Sequence, residues 1–393
     1  MKLLISLFFL FLFSDNVYAC SVYKITLNNK TFVGNNEDYW NPNTRMWFEK
    51  GQNENYGSMY VGFDNFYPQG GMNEKGLVFD GFSINARPMK SNPNKLVPPN
   101  NMLKHIMQKC QNIDEVYKLV EKYDLTAMLI SSMWIFIDAD GNYLVVEGDV
   151  LTKGNDSRYL LSNFCPSQTP NLDEVNIPFY QNGRKLMETK VDTTLSYLSA
   201  LSDTLHQSFP NDLGGTQYTT IYDLNEKVIH LYYYHDYSKH ITIHLADELK
   251  KTDAVLNIPD LFPNNTSGKE NFRKINNVKD FIKKLANPEF SINYSKIKDE
   301  INAKDISFLL RLFENDINTI GYELLKEKDK TPAINVFKLN VEYFPNSWNA
   351  YDSLGDAYLE DEKYELALIN YKKSLELNPN NQNAIIQIKK LTE

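Results

Sequence analysis

Four residue pairs near the end of this 393-residue chain recur at a single spacing, and that spacing restricts the local fold more than any composition does. Gly321 and Gly355, Ala333 and Ala367, Phe337 and Tyr371, and Pro345 and Pro379 are each 34 residues apart. A period of about 34 fits stacked helix–turn–helix units, with small residues where two helices cross and Pro where a unit closes. The second copy is the clearer, with Tyr351, Leu354, Gly355, Tyr358, Ala367, Tyr371 and Pro379 in place. The first copy keeps Ile320-Gly321 and is degenerate elsewhere, and residues 382–391 read as a capping helix. The expectation is a small all-α unit over 304–393 that packs on a neighbour or dimerises rather than serving as a dedicated peptide site.

Upstream the pattern changes from helical to alternating. Residues 31–33, 77–82, 134–137 and 143–146 read as strands, with Asp138-Ala-Asp-Gly-Asn142 as the hairpin turn between the last two. Residues 100–123 have helical periodicity, with Asp114 as a cap for Glu115 onward, and Lys190 to Leu205 is a second helical stretch. Tyr218 to Leu245 reads as three strands around the turns Asn225-Glu-Lys and Asp236-Tyr-Ser. Sheets with segregated helices predict an α+β domain over 20–250. Residues 251–303 read as a polar connector with a short amphipathic helix near Asn277 to Leu285. Within it, Asn264-Asn-Thr-Ser267 matches a glycosylation acceptor but reads as a plain loop.

The first nineteen residues read as an export signal. Lys2 gives a positive end, Leu3 to Phe13 is an apolar run, and Ser14 to Ala19 is a small-ended cleavage region. The apolar run is too short for a bilayer of ~30 Å. Removal of residues 1–19 leaves Cys20 first in a periplasmic or secreted protein. Lipid anchoring through Cys20 is the minor alternative, in which the chain is a binding lipoprotein. Against it, Ser21-Val-Tyr-Lys-Ile-Thr-Leu27 follows at once as a β-rich run ending at Asn28-Asn29, where a lipoprotein would place a flexible tether. A net charge of -9 argues against nonspecific nucleic-acid binding.

A cysteine at a free N-terminus holds nucleophile and base in one residue. Its thiol attacks a carbonyl, and its α-amine, with a reference pKa of about 7.7–8.0, relays the proton without a histidine. Such a site needs a carboxylate to orient the amine and donors for the oxyanion. Rival chemistries fit less well. Ser21-Val-Tyr-Lys24 spells a Ser-x-x-Lys motif, but strand residues three apart point to opposite faces. His235, His240 and His244 lack a Cys or acidic ligand at standard spacing, so neither a metal nor another cofactor is expected. Cys110 and Cys165 could bridge or stay buried, while Cys20 must stay free.

Cys20, Gly34-Asn-Asn-Glu-Asp38 and Gly71-Met-Asn-Glu-Lys-Gly-Leu77 resemble the N-terminal-nucleophile hydrolases of linear amides. The nearest branches are choloylglycine hydrolase with penicillin V acylase, and the acyl-CoA:6-aminopenicillanic acid acyltransferases. The resemblance covers roughly residues 20–250 and implies a four-layer αββα fold. It implies that Asp38 holds the nucleophile, and it matches Asn36 to the family's Asn; Asn36, Ser83 and Trp40 are the expected substrate-binding residues. Asn35 stands where the family usually carries Arg, and Ser83 where bile-salt hydrolases carry an oxyanion Asn. Leu161-Ser-Asn163 is similar to the family's Leu-Thr-Asn, which implies an oxyanion role for Asn163; Arg184 matches a late active-site Arg. The terminal period is similar to the tetratricopeptide repeat. The implied activity is hydrolysis of an N-acyl amide, or acyl transfer by the same chemistry, on a small-molecule substrate. Tyr39, Trp40, Trp47, Phe48 and residues 63–67 read as an apolar acyl pocket or as core.

Overall fold

A computed structural model describes residues 20–189, 191–208, 214–251 and 254–393, so the stretch expected to be an export signal lies outside the described residues. Two compact units divide after Asn271. The strands of the first begin with β1 (Ser21–Leu27), β2 (Lys30–Tyr39), β3 (Thr44–Glu49), β4 (Ser58–Phe63) and β5 (Pro68–Asn73). They continue with β6 (Val78–Ser83), β7 (Ser132–Ile137), β8 (Tyr143–Glu147), β9 (Val150–Gly154) and β10 (Arg158–Ser162). The last are β11 (Gly215–Asp223), β12 (Val228–Tyr233), β13 (Asp236–His244) and β14 (Val255–Asn257). One sheet runs β10-β1-β2-β11-β12-β13 and the other β14-β3-β4-β5-β6-β7-β8-β9.

Three apolar layers hold these sheets between helices. Val22, Val33, Met59 and Ile135 belong to the core between the two sheets. Helices Met102–Lys109 and Ile113–Val120 cover the outer face of the eight-stranded sheet through Ile106, Val116 and Phe136. Helices Pro178–Thr189 and Leu195–Leu205 cover the six-stranded sheet through Tyr180, Leu198 and Tyr23. The order helix, sheet, sheet, helix is the αββα arrangement, in an α+β chain that ends in helices.

Period-two alternation explains which residues reach the interior. On β1, Tyr23 and Ile25 face the helices, while Cys20 and Val22 face the other sheet. Tyr23 OH donates to the Leu198 carbonyl at 2.8 Å. On β2, Val33 lies in the core between the sheets, which puts Asn35 and Glu37 on that side and Asn36 and Asp38 on the helix side. The register is set by the two-residue turn Asn28-Asn29, whose φ angles of 52° and 57° suit a tight hairpin. At the β7–β8 turn, Asp138 Oδ1 accepts from the backbone N–H of Asp140 and Asn142 at 3.1 and 2.9 Å, and Gly141 takes φ 83°.

Several element ends differ from expectation. The stretch 100–123 is two helices, because the second is capped afresh: Asn112 Oδ1 accepts from Glu115 N at 3.0 Å. Asp114 is therefore not the cap; it pairs with Lys153 at 2.7 Å. The next helix starts at Leu195 behind the Thr194 cap, later than Lys190, which itself lies outside the described residues. Asp236 opens β13 and the turn before it is Tyr234-His235. Residues Thr266–Leu285 form one helix of 20 residues, longer than the amphipathic stretch 277–285. Asn265 caps it at 6% exposure, accepting from Gly268 N at 2.6 Å and donating to the Tyr233 carbonyl at 2.8 Å. The acceptor-like stretch there is thus a helix start with Asn265 buried and Asn264, Thr266 and Ser267 exposed. Cys110 and Cys165 are both free thiols.

The second unit, Phe272–Glu393, is helical. Helices Glu314–Leu324 and Thr331–Tyr343 pair, as do Trp348–Glu360 and Tyr364–Leu377, and Gln382–Thr392 follows as the terminal helix. The spacing of 34 acquires a physical meaning at the crossings. A Cβ on Gly321 would sit 2.4 Å from the Phe337 ring, and one on Gly355 would sit 2.8 Å from the Tyr371 ring. Each aromatic ring packs directly against a bare glycine, once per repeat. We expect Gly321→Val to destabilise this unit by about 1–3 kcal/mol through overpacking. Thermal unfolding of the full chain measures it; an unchanged transition would contradict the close crossing.

Candidate active site

The site forms where β1 begins. Ser21 pairs with Asn36 of β2 on one side and with Ser162 of β10 on the other. Cys20 is therefore wedged between the Glu37-Asp38 end of β2 and the Asn163 end of β10. Ser162 Oγ donates to the Cys20 carbonyl at 2.8 Å and fixes the chain there. Cys20 is 7% exposed and lies against a cavity of about 920 Å³.

Glu37, Asp38, Trp40, Ser83 and Asn163 line that cavity together with Cys20. Asn163 Nδ2 donates to the Ser83 carbonyl at 2.5 Å, so the ends of β6 and β10 are tied at the rim. Tyr39 and Phe63 add an aromatic wall, with their ring centroids 4.8 Å apart. Trp47 and Phe48, by contrast, are core residues, and Phe66 and Tyr67 are exposed.

Asp38 is pinned from the helix side. Gln207 Nε2 donates to its Oδ2 at 2.9 Å, and Thr216 Oγ1 donates to its Oδ1. Thr216 lies directly across from Asp38 in the β2–β11 ladder. Thr216 Oγ1 also accepts from the Gln207 backbone N–H at 2.9 Å. The carboxylate is thereby fixed beside the start of β1.

The inner face of β2 carries a second acidic group. Glu37 lies within electrostatic range of the Cys20 thiol and faces Tyr218, its ladder partner on β11. Asn35, two residues back, donates its amide to Asp80 of β6, bridging the sheets. Glu37 Oε2 and Asp80 Oδ1 are buried and find no hydrogen-bond partner among the described residues. Burial pushes the Cys20 thiol well up, and the nearby Glu37 and Asp38 push it further, while the Asp38 backbone N–H pulls back. Burial likewise raises Glu37, Asp38 and Asp80 above the usual carboxylate range. Hydrogen bonds from Thr216 and Gln207 oppose the rise at Asp38.

The sequence-derived candidates separate into three places. Cys20, Asp38, Trp40, Ser83 and Asn163 meet at the cavity. Asn36 is buried beneath it: Nδ2 donates to the Ser202 carbonyl at 2.8 Å and Oδ1 accepts from Thr219 Oγ1 at 2.7 Å, so its amide ties β2 to the helix layer. Arg184 lies apart on helix Pro178–Thr189, paired with Asp173 at 2.9 Å and Glu188 at 3.7 Å, and does not line the cavity. Glu37, Asp80, Gln207 and Thr216 were not singled out. For Glu37 the signal was present, because alternation from Val33 puts it on the Cys20 face.

Residues 26–246, more than half of the chain, match the family model described as acyl-coenzyme A:6-aminopenicillanic acid acyl-transferase. The chain belongs to that acyltransferase family. The matched span begins after Cys20 and contains Asp38, Asn163 and Arg184. Residues 349–381 match the tetratricopeptide repeat model, over the better of the two repeat copies. Among solved structures, a variant of conjugated bile acid hydrolase from Clostridium perfringens is similar at 14% identity, with a TM-score of 0.48 over 61% of this chain and 97% of that one. Penicillin V acylase from Agrobacterium tumefaciens is similar at 13% identity, with a TM-score of 0.46 over 60% of this chain and 90% of that one. No curated protein matches the chain. Among the described residues, no helix is long and apolar enough to cross a membrane.

Proposed function

We propose that the mature chain begins at Cys20 and is an exported cysteine N-terminal-nucleophile hydrolase that cleaves linear amides of an N-acyl substrate. The observation that carries this is a buried thiol at a cavity where no histidine, lysine or arginine is among the described lining residues. Such a thiol needs a base within reach. Loss of residues 1–19 supplies one, the α-amine of Cys20 itself, next to the Asp38 carboxylate that Gln207 and Thr216 hold in place.

The steps follow from that geometry. The α-amine takes the thiol proton, and the thiolate attacks the acyl carbon. The oxyanion forms where the Asn163 amide and a backbone N–H can donate to it. The α-ammonium then gives its proton to the departing amine, leaving an acyl thioester on Cys20. Water, deprotonated by the α-amine, releases the acid. A second amine in place of water gives acyl transfer, the reading that the family's own description favours. Asp38 acts through the α-amine, so it is a positioning residue.

Asp38→Asn therefore lowers kcat by about 10²-fold or more, the range of lost acid–base assistance, with a smaller change in KM. Steady-state kinetics on an N-acyl amide checks this, and an unchanged kcat would return Asp38 to a purely structural role. The tetratricopeptide-like unit is proposed as a packing or dimerisation element.

A further inference from the structure

The cavity beside Cys20 has a charge character that narrows the substrate, given the amide-cleaving reading above. Its ionisable lining among the described residues is acidic: Glu37 and Asp38, both within interaction range of the thiol. The remaining polar lining is uncharged, mostly the amides of Asn41, Asn65, Gln69, Asn85, Asn163 and Asn176 with the Ser83 hydroxyl. The apolar lining includes Trp40, Phe63, Ile177 and Phe179. Behind Glu37 the acidic character continues inward, because Asp80 is buried and adds to the charge around the thiol.

We infer that the enzyme accepts amides whose amine half is neutral or cationic and rejects those whose amine half carries a carboxylate or sulfonate. The amine half leaves from the carbon attacked by Cys20, so any charge on it lies within a few bonds of the thiol, and hence beside Glu37 and Asp38. After maturation one α-ammonium faces these two carboxyl groups, and no histidine, lysine or arginine is among the described lining residues. An anion there loses its water without gaining a cation, and like charges raise its energy further. A hydroxyl finds amide partners, and an ammonium finds carboxylates. The aromatic wall suits an apolar acyl chain, so the substrate class is an N-acyl amino alcohol or N-acyl diamine.

The test uses the mature full chain and one acyl group, decanoyl, on ethanolamine, 1,4-diaminobutane, glycine and taurine. The expected kcat/KM for the ethanolamide or the diamine amide exceeds that for the glycine and taurine conjugates by at least tenfold. Equal or faster cleavage of the glycine or taurine conjugate would overturn the inference while leaving the amide-cleaving reading intact. If no conjugate is cleaved, that reading fails, and charge preference is then decided by calorimetric binding to Cys20→Ala. Decylammonium binding at least tenfold tighter than decanoate supports the inference; equal or tighter decanoate binding overturns it.

Discussion

Cys20→Ala, made as a chain that begins at residue 20, loses at least about 10⁴-fold in amide cleavage, because nucleophile removal typically costs up to ~10⁶-fold in kcat. The fold survives that change. Cys20 contributes one sulfur at the edge of a core that Val22, Val33 and many others hold. Its backbone carbonyl still accepts from Ser162 Oγ, a contact that does not need the side chain. Thermal unfolding should shift by no more than about 1 kcal/mol, the lower range for removing a small buried group. Retention of more than about one per cent of activity would mean that another residue is the nucleophile. Asp38 and Asn163 would then line a cavity whose chemistry lies elsewhere.

What the sequence made legible was local. The hairpin Asn28-Asn29, the Asp138-to-Asn142 turn and the glycine–aromatic pairs at a spacing of 34 depend on residues close together in the chain. Cys20 as a strand start was readable for the same reason. Helix ends were misplaced where a nearby side chain competed for capping, as Asn112 did with Asp114. The support of the site was hidden because it is non-local. Gln207 reaches Asp38 from 169 positions away and Asn35 reaches Asp80 across the two sheets. No spacing rule joins such pairs. Motif matching weighed Asp38 and passed over Glu37, which alternation from Val33 puts on the Cys20 side of β2. Arg184 shows the converse: a matched residue whose partners, Asp173 and Glu188, lie on or near its own helix.

Glu37 also sets the sharpest question about mechanism. A buried carboxyl on the same cavity wall as the thiol is itself a candidate base, and unlike the α-amine it exists before residues 1–19 are removed. The two bases are separated by blocking only the amine. A chain starting Met-Ala-Cys20 that cannot be trimmed keeps the thiol, Glu37, Asp38 and Asn163, but turns the α-amine into an amide. That amide cannot take a proton, and loss of general-base assistance costs about 10²–10⁴-fold. The added residues also crowd the cavity at Cys20, so the loss belongs at the upper end of that range. The decisive measurement is kcat/KM of this extended chain against the same chain after a protease has exposed Cys20. A fall toward 10⁴-fold that trimming reverses is the expected result. Equal rates before and after trimming would contradict an N-terminal nucleophile and pass the role of base to Glu37.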